Sequence, residues 1–354
     1  MDAQHWHDYC VADLPPEPPA LTVRQWTRLD DAARCAHTDA LRRWLEHLYV
    51  QTDELAAISA QMTDTVRANA ESPPGAKQVL AVTGPNVVGK STLMMRWARS
   101  RYLDWTGEAE HDRRGRPVLR PTLGCEADLC PVVWINLPAG AKIKDVDVEI
   151  LEFFGLPGHG VTRNLYQRAL RAAERHRSRV LIVDDAHLLK TDWKGGRDVL
   201  DHVKHINTEL GEIGATLILV GANLEGGDLV TDPQIAGRLT LHRFPRYDID
   251  SMAERRTWQV LVRQLEDTVA PHLPKGAPGM LFTELAGELW LRTQGYLGEV
   301  TELVRRATLA ATADGTHKIL RRHLAAVTLS ERAESERRDT TSPRRLALAA
   351  PPTE

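Results

Sequence analysis

The segment Gly84-Pro-Asn-Val-Val-Gly89-Lys90-Ser91 constrains this chain more than any other feature of its sequence. It follows a short apolar run, Gln78-Val-Leu-Ala-Val-Thr83, that reads as a buried strand, and a helical pattern begins near Lys90. Glycines at both ends let the backbone turn so that its N–H groups converge on an anion. The helix N-terminus behind them adds partial positive charge. Lys90 supplies a point charge and Ser91 a hydroxyl suited to Mg²⁺. A strand, this loop and a helix commit the chain to an α/β fold built around a phosphate-binding site.

The rest of the chain fits that commitment. Further apolar runs, Pro131-Val-Val-Trp-Ile-Asn136, Val180-Leu-Ile-Val183 and Ala215-Thr-Leu-Ile-Leu-Val220, alternate with helical patterns such as Leu165–His176 and Val199–Leu210. Strands alternating with helices predict a parallel sheet with right-handed crossovers. Residues 1–22, with Leu-Pro-Pro-Glu-Pro-Pro, read as a disordered tail. Residues 23–75 read as an N-terminal helical segment, with Leu41, Trp44, Leu45 and Leu48 on one stripe, ended by Ser72-Pro-Pro-Gly75. The nucleotide-binding α/β domain then spans 76–247. Four helical patterns between 248 and 330 predict an all-helical lid, and the charged, Pro-containing stretch 331–354 predicts a second disordered tail.

The chemistry predicted for the loop is that of a P-loop NTPase binding ATP with Mg²⁺. Gly84, Pro85, Asn86, Val87, Val88, Gly89, Lys90, Ser91 and Thr92 form the expected phosphate-binding set. Such a site needs a metal-side carboxylate at the end of another strand, and Val180-Leu-Ile-Val-Asp184-Asp185 supplies two. Asp184, with Ser91, is expected to hold Mg²⁺, and Asp185 to orient or deprotonate the attacking water. Asn223, just past the run that ends at Val220, is placed to sense the γ-phosphate; a turn or capping role is the competing reading. Arg238 ends Asp232-Pro-Gln-Ile-Ala-Gly-Arg238, just before a last strand, where an arginine finger would reach a neighbouring subunit's phosphate. Arg243 and Arg246 compete for that role.

Taken in order, several segments resemble the TniB/TnsC group of AAA+ transposition regulators. They are Leu45-Glu-His-Leu-Tyr49-Val-Gln-Thr52-Asp-Glu-Leu55, Pro131-Val-Val-Trp-Ile-Asn-Leu-Pro138, Ile150-Leu-Glu-Phe-Phe-Gly-Leu-Pro157, Asp184-Asp-Ala-His-Leu-Leu189 and Asp232–Arg238. Three features depart from the group: Asp185 where Glu is usual, Leu239 where Phe is common, and a lid segment Gly295-Tyr-Leu-Gly-Glu299 without an evident sensor arginine. The resemblance implies an AAA+ fold and a homo-oligomeric ring or filament that assembles on duplex DNA when ATP is bound. It also implies a link between a target-selection protein and a DDE transposase, with hydrolysis resetting the assembly. Candidate contacts to the DNA backbone are Lys142 and Lys144 in the loop after the second apolar run, and Thr162 and Arg163 at the next helix start. The basic Arg113-Arg-Gly-Arg116 is a further candidate, and solvated loop charge is the alternative for each.

Other classes compete less well. Asp184-Asp-Ala-His187 is similar to a helicase box of the DEAH type, but those enzymes need two RecA-like domains, for which there is no room. A signalling or defence ATPase acting on protein partners and a helicase-loader-like ATPase stay open. The formal net charge of −3 announces no global nucleic-acid field. Without an apolar run of membrane-spanning length or a leader pattern, the expectation is a cytoplasmic protein with no membrane partner. Cys125 and Cys130 read as structural thiols, since their spacing is not that of a zinc pair.

Overall fold

The computed structural model describes residues 1–122, 125–189 and 196–340. The chain divides into two compact units, one formed by Met1–Ala12 and Glu54–Phe244, the other by Asp13–Asp53 with the chain from Pro245 onward.

Among the described residues the first unit holds eight strands: β1 (Val79–Gly84), β2 (Glu110–His111), β3 (Pro117–Thr122), β4 (Cys125–Asp128), β5 (Val132–Asn136), β6 (Val180–Asp184), β7 (Thr216–Ala222) and β8 (Leu239–Arg243). Five form a parallel sheet in the order β5-β6-β7-β1-β8. Helices Lys90–Thr106, Ile143–Phe153 and Gly196–Glu212 pack on it. Strands β1 and β6 are buried along their whole length. That is why they read as unbroken apolar runs and not as alternating ones. The apolar runs expected from sequence are β1, β5, β6 and β7, and the last strand expected after Arg238 is β8. The fold is that of an AAA+ P-loop NTPase, a parallel core flanked by helices with a helical C-terminal part.

Two features of this unit differ from expectation. An antiparallel ribbon, β2-β3-β4, is inserted between the Lys90–Thr106 helix and β5. Salt bridges hold it: Arg120 pairs with Glu110 and with Glu126 (3.0 Å), and Arg116 with Asp112 (2.7 Å) and Asp128 (3.1 Å). Arg116 is therefore spent inside the ribbon and is not part of a free basic patch. The second difference is at the N-terminus, where the expected tail begins as a helix, Ala3–Val11, capped by Asp2, whose carboxylate accepts from the His5 N–H at 2.8 Å. Trp6 is fully buried, stacked on Trp134 of β5 at 5.8 Å and edge-on to Tyr102 at 6.4 Å. Arg99 donates to the carbonyls of Cys10 (2.9 Å) and Ala12 (2.8 Å), satisfying groups that a helix end leaves orphaned.

The second unit is helical: Val23–Arg28, Asp31–Leu45, Met252–Val269, Ala286–Thr293, Leu297–Ala313, Arg321–Ala326 and Glu331–Thr340. The expected 23–75 segment is thus divided, because the Asp53–Glu71 helix belongs with the sheet unit. Glu266, 1% exposed, is compensated by the N–H groups of Gly279 (2.7 Å), Leu281 (2.5 Å) and Phe282 (3.2 Å), which pins the irregular stretch between helices. Residues 331–340 are a helix and not a tail: Glu334 ties it to buried Arg292 at 2.9 Å, and Ala333 is fully buried. Residues 341–354 lie outside the described residues. No helix among the described residues is long and apolar enough to cross a membrane.

Trp6→Ala is expected to lower the stability of the sheet unit by about 3–5 kcal/mol, the usual range for deleting a buried aromatic. Chemical denaturation followed by tryptophan-independent circular dichroism measures it. A loss under about 0.5 kcal/mol, the range of surface substitutions, would show that the N-terminal helix is not docked.

Candidate nucleotide-binding site

Strand β1 ends at Gly84 and the helix starts at Lys90, so the loop between them is fixed at both ends. Gly84 (φ +153°) and Gly89 (φ +109°) both have backbone angles that other residues adopt only with strain. A Cβ on Gly84 would stand 3.1 Å from Phe244 Cβ, and one on Gly89 3.2 Å from Phe244 Cζ, so packing demands glycine there as well. Val87, between them, has φ +61° and its side chain faces solvent. A β-branched residue in that region is strained, and such strain is found where a functional loop is over-determined by its surroundings. Lys90 is buried, and its Nζ donates to the Gly84 carbonyl (2.9 Å) and the Pro85 carbonyl (2.6 Å).

Asp184 closes β6, with Asn136 of β5 opposite it in register. It is 8% exposed. Burial pushes its carboxyl above the ordinary carboxylate range, and the Asp185 charge pushes the same way. The Asp185 N–H (2.9 Å), the Ser91 hydroxyl and the Lys90 ammonium oppose that rise. The structure thus brings Lys90, Ser91 and Asp184 together at the sheet's C-terminal edge. A hydroxyl and a carboxylate are the hard oxygen donors that Mg²⁺ takes, and a buried carboxylate beside an ammonium suits a cation with phosphate next to it. Asp185 (φ +55°) turns its half-exposed side chain outward from the same strand end.

Asn223 (φ +47°) follows β7, which lies between β6 and β1. Its N–H donates to the Gly84 carbonyl at 3.3 Å, so its exposed side chain stands at the mouth of the loop. His187 Nδ1 accepts from the Ala222 N–H at 3.2 Å, joining the end of β6 to the end of β7.

The other expected residues are elsewhere. The Arg238 carbonyl accepts from the Val79 N–H at 2.7 Å, which puts Arg238 at the start of β1 and β8. Gly84 is a strand's length away, roughly 17 Å at about 3.3 Å per residue. Exposed Arg238 therefore cannot serve the loop of its own chain. Lys142 and Lys144 are exposed at the start of the Ile143–Phe153 helix, beyond the tip of β5. Thr162 and Arg163 are exposed at the start of the Thr162–Arg175 helix.

Sequence reading missed a buried network behind the loop. Thr83, fully buried, donates its hydroxyl to Glu225 (2.9 Å) and accepts the Leu224 N–H (2.9 Å). Glu225 lies 3.8 Å from Arg243, the β8 residue in register with Thr83. Phe244 bonds its N–H to the Thr83 carbonyl (2.7 Å) and lays its ring on the loop glycines. The one sequence signal was a hydroxyl at the end of an otherwise apolar run.

Thr83→Val keeps the shape but leaves the Leu224 N–H buried without its acceptor. A loss of about 1–3 kcal/mol is expected in urea unfolding. A change within about 0.5 kcal/mol of zero would mean the network is solvated and the loop is held by Phe244 alone.

The profile of the family described as "Bacterial TniB protein" matches residues 46–249. No curated protein matches the chain significantly. Among solved structures, the Aeropyrum pernix ORC2 protein, in ADPNP–ADP complexes, aligns with a TM-score of 0.52 at 12% identity, over 86% of this chain and 71% of that one. Cdc6p from Pyrobaculum aerophilum aligns with a TM-score of 0.52 at 15% identity, over 86% of this chain and 72% of that one. At such identities the likeness speaks for the fold alone. The family match covers more than half of the chain and spans the strand-tip residues described above, and the chain belongs to the TniB family.

Proposed function

We propose that this protein is an ATPase of the AAA+ class that assembles on duplex DNA and regulates transposition, linking a target-selection protein to a DDE transposase. The observation that carries the nucleotide half of this reading is the convergence of Lys90, Ser91 and Asp184 at one strand edge, with Arg238 on the opposite edge. The family supports the transposition half.

Bound ATP with Mg²⁺ supplies the phosphoryl group that passes to water. The chain's own residues do the rest. Lys90 exchanges its two carbonyl acceptors for phosphate oxygens. Ser91 and Asp184 hold the cation. Asp185 orients the attacking water and takes its proton, and Asn223 holds a polar group at the loop's mouth. With a side chain one methylene shorter than Glu, Asp185 favours slow turnover, which suits a timer more than a motor. Arg238 completes a neighbour's site, so hydrolysis and assembly are one property. Mixing Lys90→Ala and Arg238→Ala subunits tests this, each alone being inactive in steady-state hydrolysis and only Lys90→Ala losing ATP affinity by calorimetry. Mixtures should recover part of the activity, since some interfaces pair two intact halves. If no ratio recovers it while both variants stay folded, the shared site is wrong.

The DNA half rests on multivalency. Each phosphate neutralised contributes roughly −0.9 to the salt slope, so a protomer that offers a few loop cations such as Lys142, Lys144 and Arg163 is a weak ligand alone. An ATP-closed oligomer presents the same groups repeatedly along one duplex. Fluorescence anisotropy over several salt concentrations should therefore show cooperative duplex binding with an ATP analogue and little without. Lys142→Ala with Lys144→Ala should weaken it for every sequence and flatten the salt dependence. Equal binding in both nucleotide states would remove the switch, and no binding in either would favour a role on protein partners.

A further inference from the structure

We propose that the cleft between β4 and the C-terminal half of the Thr162–Arg175 helix is a docking site for an extended, acidic peptide segment of a partner protein. The cleft is about 610 Å³. One wall is β4, the edge strand of the ribbon. Among the described residues, no backbone hydrogen bond is made on the outer side of Cys125–Ala127. The far end of the strand is anchored. His176 bonds the Asp128 carbonyl through Nδ1 at 2.8 Å, accepts from the Cys130 N–H at 2.9 Å, and stacks on Phe154 at 4.7 Å. The wall therefore exists before any ligand arrives.

The opposite wall is cationic. Arg171, Arg175 and Arg177 line the cleft, and none of their guanidinium groups has an ion-pair or hydrogen-bond partner among the described residues. This contrasts with Arg120 across the cleft, which is held by Glu110 and Glu126. Arg177 occupies a position where its backbone argues against it. The Ser178 N–H bonds to the Ala173 carbonyl (2.9 Å) and the Arg177 N–H to the Glu174 carbonyl (3.1 Å), the helix-ending motif in which glycine is usual. Arg177 has φ +53° there. An arginine at a glycine position costs stability, and what the chain gains is a third guanidinium facing the cleft.

The ligand is read from the chemistry of both walls. Guanidinium groups pair bidentately with carboxylates. A free strand edge offers alternating N–H and C=O groups that another polypeptide backbone matches by adding a strand. Glu126 is neutralised by Arg120 and Glu174 is outnumbered by the three arginines, so the lining stays net cationic; what favours a polypeptide over a phosphodiester chain is the strand edge, which a peptide backbone matches and a sugar-phosphate backbone does not. Leu119 and Ala127 give apolar contact. The site lies by the start of β6, at the edge of the sheet opposite Gly84 and Asp184, so a bound peptide and a bound nucleotide do not compete for space.

The experiment uses the full chain and a fluorescein-labelled peptide of alternating Glu and Val, followed by anisotropy. Saturable binding is expected, and the Lys-Val peptide should not bind. Arg171→Glu with Arg175→Glu should weaken the Glu-Val peptide at least about tenfold. Arg177→Gly should weaken it too while raising the melting temperature, a combination that a purely structural arginine does not give. N-methylation of alternate peptide nitrogens should abolish binding. The proposal is overturned if the Glu-Val peptide does not bind, or binds both arginine variants as well as the parent. Undiminished binding of the N-methylated peptide overturns strand addition. Single-stranded DNA that binds the parent and is lost in the same variants would assign the cleft to nucleic acid instead.

Discussion

Parallel pairing of β1 with β7 on one side and β8 on the other is the constraint from which the rest of the first unit follows. Parallel strands all end on the same edge, so the turns after β1, β6 and β7 meet there whatever their separation in sequence. The Gly84 carbonyl, the Asp184 carboxyl and the Asn223 N–H become neighbours because the sheet delivers them. The price is a buried carboxylate at Asp184, pushed toward its neutral form and held in check by Ser91, Lys90 and a backbone N–H. A group poised in this way gains by meeting a cation, which is the property a metal-side residue needs.

What could be read in the sequence was whatever is contiguous or periodic. The loop from Gly84 to Ser91 is a local signature, and β1, β5, β6 and β7 are apolar runs whose signal survives because both faces are covered. The ribbon was illegible for the opposite reason. Arg120 pairs with acids of both neighbouring strands and Arg116, in the turn before β3, with Asp112 of that turn and Asp128 of β4, so the ribbon has neither an apolar run nor an alternating face. The N-terminal helix was hidden because Trp6 is explained only by Trp134 and Tyr102, far along the chain. The loop's support by Thr83, Glu225 and Phe244 depends on contacts that strand order creates, and no spacing announces them.

The sheet's two edges divide the chemistry. The C-terminal edge collects what a phosphate and its cation require. The N-terminal edge carries Arg238 and, by the start of β6, the arginine-lined cleft beside β4. Groups on opposite edges of one rigid sheet cannot converge within a chain, so the role proposed for Arg238 requires the nucleotide of a second molecule.

The second unit is discontinuous, and this bears on how the chain can fold during synthesis. Its stretch Asp13–Asp53 emerges early but packs with residues from Pro245 onward. The Tyr247 hydroxyl reaches Thr52 at 2.8 Å across 195 positions, and Arg305 pairs with Glu46. Closing pairs so far apart costs chain entropy before any contact is gained, and such topologies fold slowly. The Glu54–Phe244 part of the sheet unit is translated in the interval, and Leu41 and Leu45, fully buried at the end, spend it without the helices that cover them. The early helix therefore keeps an apolar face uncovered while most of the chain is being made, a face that a chaperone can shield until its partners arrive.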